Sequence, residues 1–282
     1  VVHQVRFSPP VWEAALEERA RTGESVSEVV DRLVGDALGL QRHTLFQVST
    51  STALAEGVFA GEMTVEQLLG HGDFGIGTYD RLDGELVLID GRCFRAGAGG
   101  RLEEAAPSAT VPFAIVTHFT VDRTIDVDHV ASLEELAHRI DAIRPSENVF
   151  VAVRVSGLFA PLSMRAACRA AAGEDLVEAT SHQSEFTEGV IEGTMVGFWS
   201  PDHVRSVGIP GYHLHFVSTD RSIGGHVLDL AGRGLRVDLD VERDVHVAMP
   251  TTKEFLDADL AADATASLEI AESAVADRPD RR

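Results

Sequence analysis

Three histidines carry the strongest chemical signal in the chain. His213 and His215 alternate with Tyr212, Leu214 and Phe216, and on a strand residues two apart project from one face. The cluster Thr219-Asp220-Arg221-Ser222 and the pair Gly224-Gly225 then read as a hairpin connection. The return strand begins at His226, which brings a third imidazole beside the first two. Three neutral imidazoles on adjacent strands make an open metal site, with a position left for water or substrate. The competing reading is two half-exposed strand histidines and an unrelated third.

A second chemical signal is Glu85. Asp83-Gly84 between apolar runs marks a hairpin, so Glu85 opens a strand that is otherwise apolar. A carboxylate there is costly unless it is paired or bound to something. The alternative is an edge-strand glutamate facing water.

Composition sets the surroundings of these groups. The chain has 282 residues, 44% hydrophobic and 24% charged, enough for a packed core in one large domain or two smaller ones. The formal net charge of -21 opposes non-specific binding to nucleic acid or anionic lipid. An anionic substrate therefore needs a local positive group, a metal or an arginine. Lys253 is the only lysine, and its Thr-Thr-Lys-Glu setting is poorly suited to Schiff-base chemistry. Cys93 and Cys168 are too few and too isolated for a disulfide framework or a cysteine zinc site, which points to a reducing, cytoplasmic setting. Val1–Arg6 reads as too polar for a secretory signal. The run Val149–Val153 is strand-length, far short of a membrane span.

Residues 1–41 read as a separate strand-helix-helix segment. Gln4–Phe7 alternates as a short strand, and Ser8-Pro9-Pro10 leads into a helix from Val11 to Arg21 with Val11, Ala15 and Leu16 on one face. Gly23 stops it. Ser25 starts a second helix with Glu28 as a capping box, followed by an apolar stripe through Val26, Val29, Val30, Leu33 and Leu38. The pattern resembles the ribbon-helix-helix family, and a segment this small needs a partner to complete its core. The outward strand positions, His3, Gln4 and Arg6, would meet DNA in such a protein. Four arginines (Arg6, Arg19, Arg21, Arg32) against seven acids (Glu13, Glu17, Glu18, Glu24, Glu28, Asp31, Asp36) offer little for phosphate neutralisation, which favours dimerisation over nucleic-acid binding.

From residue 42 to 175 strands and helices alternate without a strict βαβ beat, which predicts a mixed sheet. Strands are expected at Leu45–Ser49, Glu85–Ile89, Pro112–Phe119 and Asn148–Val155, and helices at Ala53–Gly61, Thr64–Leu69 and Ser132–Asp141, the last with a capping box. Ala167–Gly173 is alanine-rich and could be helical by propensity alone. Residues 176–260 read as short strands at regular intervals, which suggests a small barrel or sandwich. A last helix starts at Thr251–Leu256, and the acidic, alanine-rich tail 261–282 reads as disordered. The fold class expected is α+β: a mixed sheet lobe with helices plus this C-terminal β lobe.

The ordered set Gly72–Thr78, Leu82–Leu86, Gly193–Phe198, Pro210–Phe216, Gly224–Val227 and Pro250–Thr252 resembles the α-acetolactate decarboxylase family over about residues 43–260. The resemblance implies a dimeric zinc enzyme, its metal in a barrel-like C-terminal β lobe, that converts 2-acetolactate to (R)-acetoin and carbon dioxide. Carbon dioxide loss from a β-keto acid leaves electrons on the neighbouring carbonyl, and a Lewis-acid metal stabilises that charge. The resemblance assigns Zn2+ to His213, His215 and His226. It assigns Arg165, in Leu162-Ser163-Met164-Arg165-Ala166, to the substrate carboxylate, which suits a guanidinium that stays charged and bonds two oxygens. The alternative for Arg165 is a surface helix arginine beside Arg169. Glu85 becomes the acid that protonates the enediolate, with Thr78 as a nearby hydroxyl orienting substrate or water. A second glutamate returns from the tail, at Glu272 with Glu269 as its competitor.

Two other classes remain open at this level. One is a ribbon-helix-helix regulator whose large domain senses a metal or a hydroxy-keto acid. The other is a barrel-type oxygenase, since three histidines and a carboxylate also suit Fe(II).

Overall fold

Strand periodicity organises the larger part of the molecule into two facing sheets. The computed structural model describes residues 5–22, 25–37, 42–261 and 263–272, with the side chains of 22, 28, 31, 32 and 36 left aside. The chain divides into two units, Val1–Arg42 and His43–Arg282. Among the described residues no helix is long and apolar enough to cross a membrane.

The first unit holds α1 (Pro9–Thr22) and α2 (Val26–Ala37). Of the strand expected at Gln4–Phe7, Val5, Arg6 and Phe7 carry no regular structure. A strand needs a partner for its backbone groups, and among the described residues no strand pairs with it. His3, Gln4 and Gly23 lie outside the described residues, as do Leu38 and the Glu28 side chain on which the second helix's capping box depends. Ala15 and Val29 are buried, whereas Val11, Leu16 and Leu33 of the predicted apolar faces stay exposed, as do Trp12 and Val34.

The second unit opens with β1 (Thr44–Val48), α3 (Ser51–Ala55), β2 (Met63–Thr64) and α4 (Val65–Leu68). Hairpins follow through β3 (Phe74–Thr78), β4 (Glu85–Ile89), β5 (Arg92–Ala96) and β6 (Leu102–Glu104). Next come β7 (Thr110–Val111), β8 (Phe113–Thr117), β9 (Arg123–Val130) and α5 (Leu133–Asp141). Ser132 caps α5 by accepting from the Glu135 amide. Glu135 instead accepts from the Ala131 amide, so the reciprocal box expected there is displaced by one residue. The remaining elements are β10 (Val151–Ala166), α6 (Leu176–Thr180), β11 (Ser184–Glu188), β12 (Ile191–Ser200), β13 (Gly211–Ser218), β14 (Gly224–Val241), β15 (Asp244–Ala248), α7 (Lys253–Asp257) and α8 (Thr265–Glu272).

One sheet has seven strands in the order β15-β1-β8-β3-β4-β5-β6, the other six in the order β11-β10-β12-β13-β14-β9. β10 also pairs with β14, so β10, β12, β13 and β14 close a circuit. This α+β arrangement differs from the expected lobes in its membership. The six-stranded sheet takes β9 and β10 from before residue 176, and β15 leaves it to pair in parallel with β1. Alternation specifies which face of a strand is buried, but not which strand lies beside it.

Two further expectations fail for local reasons. Ala167–Gly173 is not helical, because its amides are committed elsewhere: Ala167 donates to Glu85 Oε1 and Ala170 to the Arg81 carbonyl. The start of the tail is not irregular either, since α8 forms on the Asp263 cap and buries Leu268 and Ala271. Burying Leu268 contributes about 2 kcal/mol, enough to hold a two-turn helix that propensity alone leaves open. Residues 273–282 of the tail lie outside the described set.

The layer between the sheets is where the site sits. On β13, Leu214 and Phe216 enter the core inside the four-strand circuit with Val153, Val155 and Val237. Val217 faces the other way, into a core shared with Ile76, Val87, Phe113 and Phe198. His213 and His215 share the phase of Val217, Thr78 that of Ile76, and Glu85 that of Val87. All four therefore point into the space between the sheets.

Close packing of β12 on β13 requires a glycine. A Cβ at Gly197 would lie 2.0 Å from the His213 carbonyl oxygen, an atom fixed in a central ladder. Gly197→Ala is expected to cost about 1–3 kcal/mol, or about 2–4 °C of melting temperature per kcal/mol, as read by calorimetry.

Candidate active site

The hairpin that carries the histidines is built by its turn. Ser218 Oγ accepts from the Ser222 and Ile223 amides, and Asp220 Oδ1 accepts from the Ser222 amide and hydroxyl. Arg221 sits at φ 59° in the left-handed region. Gly224 and Gly225, expected in the connection, already belong to β14, opposite Val217 and Phe216. That register sets His226 directly opposite His215. On the other side of β14, His226 is opposite Arg165 of β10. Arg165, His226 and His215 thus form one lateral row across three strands, with His213 two residues along from His215. One ring nitrogen of each histidine lies within 4.8 Å of those of the other two, and the ring centroids are 4.9–5.3 Å apart.

All three imidazoles are buried. His215 Nδ1 lies 2.8 Å from the Leu86 carbonyl. A carbonyl can only accept, so Nδ1 carries the proton and Nε2 presents its lone pair. His215 Nε2 and His213 Nδ1 are buried without a hydrogen-bond partner. Burial, aided by the Arg165 charge, pushes the His213 pKa down to about 3. Burial and neighbouring charges also hold His215 and His226 well below the ordinary range. The rings are therefore neutral, the form that binds metal, and their partnerless nitrogens fit a divalent ion with nitrogen preference.

The opposite wall comes from the seven-stranded sheet. Thr78 and Glu85 are paired residues on β3 and β4. Glu85 Oε2 is 3.6 Å from His215 Nε2, and Oε1 accepts from the Ala167 amide at 3.0 Å. Burial raises the Glu85 pKa to about 7 against the opposing pull of Arg165. The expectation of a water-facing edge glutamate does not describe it, since Glu85 is 5% exposed. Thr78 Oγ1 donates to the Gly84 carbonyl at 2.9 Å, so its hydrogen is committed to the turn and only its lone pair faces the cavity.

Arg165 ends β10 rather than lying on a surface helix, and is 4% exposed. Gln183 Oε1 accepts from its Nη1 at 2.8 Å, while Nη2 is 3.4 Å from His226 Nδ1 and 3.4 Å from Glu272 Oε1. Glu272, at the end of α8, reaches the histidines: Oε2 is 3.4 Å from His226 Nε2 and 3.8 Å from His213 Nε2. Glu269 is exposed one turn earlier. The helix packs against α3 and α6, which completes a cavity lined by Thr78, Glu85, Arg165, His213 and Glu272 with apolar Leu54, Phe113, Leu176 and Ile209.

Sequence reasoning missed Gln183 and the apolar lining. Gln183 lies in a polar stretch, Ser181-His182-Gln183-Ser184, with no local pattern to single it out. Leu54, Leu176 and Ile209 read as ordinary core residues. The site combines one guanidinium, three neutral imidazoles and two carboxyl groups in a small, partly apolar space, suited to an anionic substrate of a few carbons that chelates a metal.

The family model for alpha-acetolactate decarboxylase matches residues 45–262. The chain belongs to the alpha-acetolactate decarboxylase family. A family relative from Methylococcus capsulatus is 41% identical over 227 residues, covering 79% of this chain and 86% of its own. One from Methanosarcina mazei is 40% identical over 234 residues, covering 83% and 81%. The crystal structure of alpha-acetolactate decarboxylase from Bacillus subtilis superposes with a TM-score of 0.80 at 33% identity, covering 82% of this chain and all of that one. Both α1 and α2 precede the matched segment, and α8 with Glu272 follows it.

Proposed function

We propose that the chain converts 2-acetolactate to (R)-acetoin and carbon dioxide, with zinc held by His213, His215 and His226. The observation that carries this reading is the convergence of three neutral imidazoles, two with partnerless nitrogens, on Arg165, Glu85 and Glu272. In this reading the circuit of β10, β12, β13 and β14 is the barrel-like lobe that carries the metal. When bound, zinc supplies a Lewis acid for the negative charge that develops on the substrate's oxygens.

This chain's own groups do the rest. Arg165, held by Gln183, receives the substrate carboxylate, and its buried charge offsets the -21 background that would repel an anion. The bond to the carboxylate carbon breaks, and its electron pair moves into the new carbon–carbon double bond and onto the keto oxygen. Glu85, whose burial favours the protonated form, delivers a proton to the carbon that lost carbon dioxide, on the face it occupies. Glu272 accepts the hydroxyl hydrogen bond and orients the substrate from the α8 side.

Purified protein given racemic 2-acetolactate tests this directly. Chiral chromatography should find (R)-acetoin with matching carbon dioxide release; absence of acetoin sinks the reading, and oxygen uptake on Fe(II) would favour an oxygenase. Arg165→Ala should lower kcat/KM by about a hundredfold or more, the scale of one lost charge-stabilising donor. Arg165→Lys should recover only part, because an ammonium cannot bond two oxygens and hold Gln183 at once. Glu272→Gln should retain zinc and lower kcat by about tenfold to a hundredfold, whereas Glu269→Gln should leave kcat unchanged, in steady-state assays.

For residues 1–41 we infer pairing of two copies rather than nucleic-acid binding, because the segment is acidic and leaves Val11, Trp12, Leu16, Leu33 and Val34 uncovered. The two free cysteines, Cys93 and Cys168, support a cytoplasmic setting.

A further inference from the structure

A second group of ligand-type side chains lies at the other end of β14, fourteen residues on from His226 (226 to 240). His43 precedes β1, Asp122 lies between β8 and β9, and Asp240 stands near the end of β14. One ligand atom of each lies within 4.8 Å of the other two. His43 Nδ1 is 2.7 Å from Asp240 Oδ1 and 3.7 Å from Asp122 Oδ2. Both carboxylates are aimed by backbone amides: Thr120 donates to Asp240 Oδ2 at 2.6 Å and Val241 to Asp122 Oδ2 at 2.9 Å. The Asp240 side chain is fully buried, while those of His43 and Asp122 are 24% and 30% exposed, which leaves one open side.

Behind this group sits Glu242, 3% exposed, with both carboxylate oxygens lacking a hydrogen-bond partner. The Thr117 hydroxyl, also buried, is the neutral polar group beside it. The charges acting on Glu242 are those of Asp240 and Asp122, both negative. A buried carboxylate with like-charged neighbours is strongly disfavoured unless a proton or a cation answers it. His43 gives its hydrogen bond to Asp240 and also lies beside Asp122, so a single imidazole faces the charge of two carboxylates.

We propose that His43, Asp122 and Asp240 bind a divalent cation, with Glu242 as the buried counter-charge behind it. One imidazole among carboxylate oxygens suits a metal of intermediate preference such as Mn2+, in contrast to the all-nitrogen triad. The ion would tie three chain segments together: the entry to β1, the turn after β8, and the crossing from β14 to β15, where the His43 carbonyl already accepts from the Arg243 and Asp244 amides. That crossing is where the chain passes from the six-stranded to the seven-stranded sheet. The site is a structural clamp, separate from the chemistry at the triad.

The test uses the full chain with zinc already bound at the triad. Mn2+ is titrated in, free Mn2+ is followed by electron paramagnetic resonance, and melting is followed by calorimetry. The wild type is expected to take up one Mn2+ per chain without loss of zinc, and its melting temperature to rise by at least about 2 °C through binding linkage. Asp122→Asn and His43→Asn should each lose the uptake and the rise while acetoin formation stays unchanged. Two independent variants keep the test usable if one folds poorly. Equal Mn2+ uptake in the wild type and both variants, or no uptake by the wild type, overturns the proposal.

Discussion

Replacing His215 with alanine is expected to empty the triad of zinc and lower acetoin formation by about a thousandfold or more, the scale on which loss of oxyanion stabilisation acts. Of the three proposed ligands, His215 has least freedom to be replaced. It is fully buried, its Nδ1 is pinned to the Leu86 carbonyl, and it faces His226 across the β13–β14 ladder. Glu85 on its far side is held by the Ala167 amide, so that carboxylate cannot swing in to take the vacated place without losing its own donor. The variant also leaves the Leu86 carbonyl without its partner, a cost of about 1–3 kcal/mol. Zinc content by mass spectrometry and melting by calorimetry separate the two effects: a folded, zinc-free, inactive protein is the expected outcome. A folded His215→Ala protein with wild-type turnover would refute the ligand assignment.

The second large effect is expected at Glu85. Glu85→Gln keeps the shape and the acceptor for the Ala167 amide but has no proton to give. Turnover should fall by about a hundredfold to ten-thousandfold, the usual worth of a positioned acid, with zinc content unchanged. The product carries a further signature. If Glu85 protonates one face, its loss leaves protonation to water from either side, and the enantiomeric excess of the residual acetoin should collapse. Thr78→Val is the natural contrast, because its hydroxyl hydrogen serves the Gly84 carbonyl. That change should affect the turn's stability more than the stereochemistry. Unchanged enantiomeric excess in Glu85→Gln would assign the proton to another group.

What was legible in the sequence follows from the range over which each signal acts. The histidine hairpin could be read because a period of two fixes a shared face and the turn residues fix the connection, both within eighteen residues (211 to 228). Strand limits near Thr44–Val48, Glu85–Ile89 and Phe113–Thr117 follow from apolar runs for the same reason. The meeting of Glu85 and Arg165 with the histidines is a tertiary fact, carried by the pairing of β10 with β14 and the facing of two sheets, and no local spacing encodes it. The family resemblance supplied those residues. Ala167–Gly173 was misread because helix propensity is weak beside two committed amides. The segment leading to Glu272 read as disordered because its buried stripe, Ala264, Leu268 and Ala271, is too thin to stand out from an alanine-rich background. Gln183 gave no signal at all, since its function exists only once Arg165 is beside it.

The fold explains why the groups are poised without substrate. Arg165 is held from one side by Gln183 and from the other by Glu272, so its charge is fixed in place before an anion arrives. Preorganised charge of this kind costs no rearrangement at the moment of reaction. α8 supplies the last wall, which ties the chemistry of the triad to the docking of a helix more than forty residues further along the chain (226 to 272).

In the proposed function, decarboxylation depends on a metal held by His213, His215 and His226. The most direct measurement strips the protein with chelator, returns zinc in sub-stoichiometric steps, and follows acetoin formation and bound zinc together. Activity absent in the stripped protein, rising in proportion to zinc and saturating at the first equivalent per chain, is the predicted result. Full turnover by protein that holds no metal would contradict it.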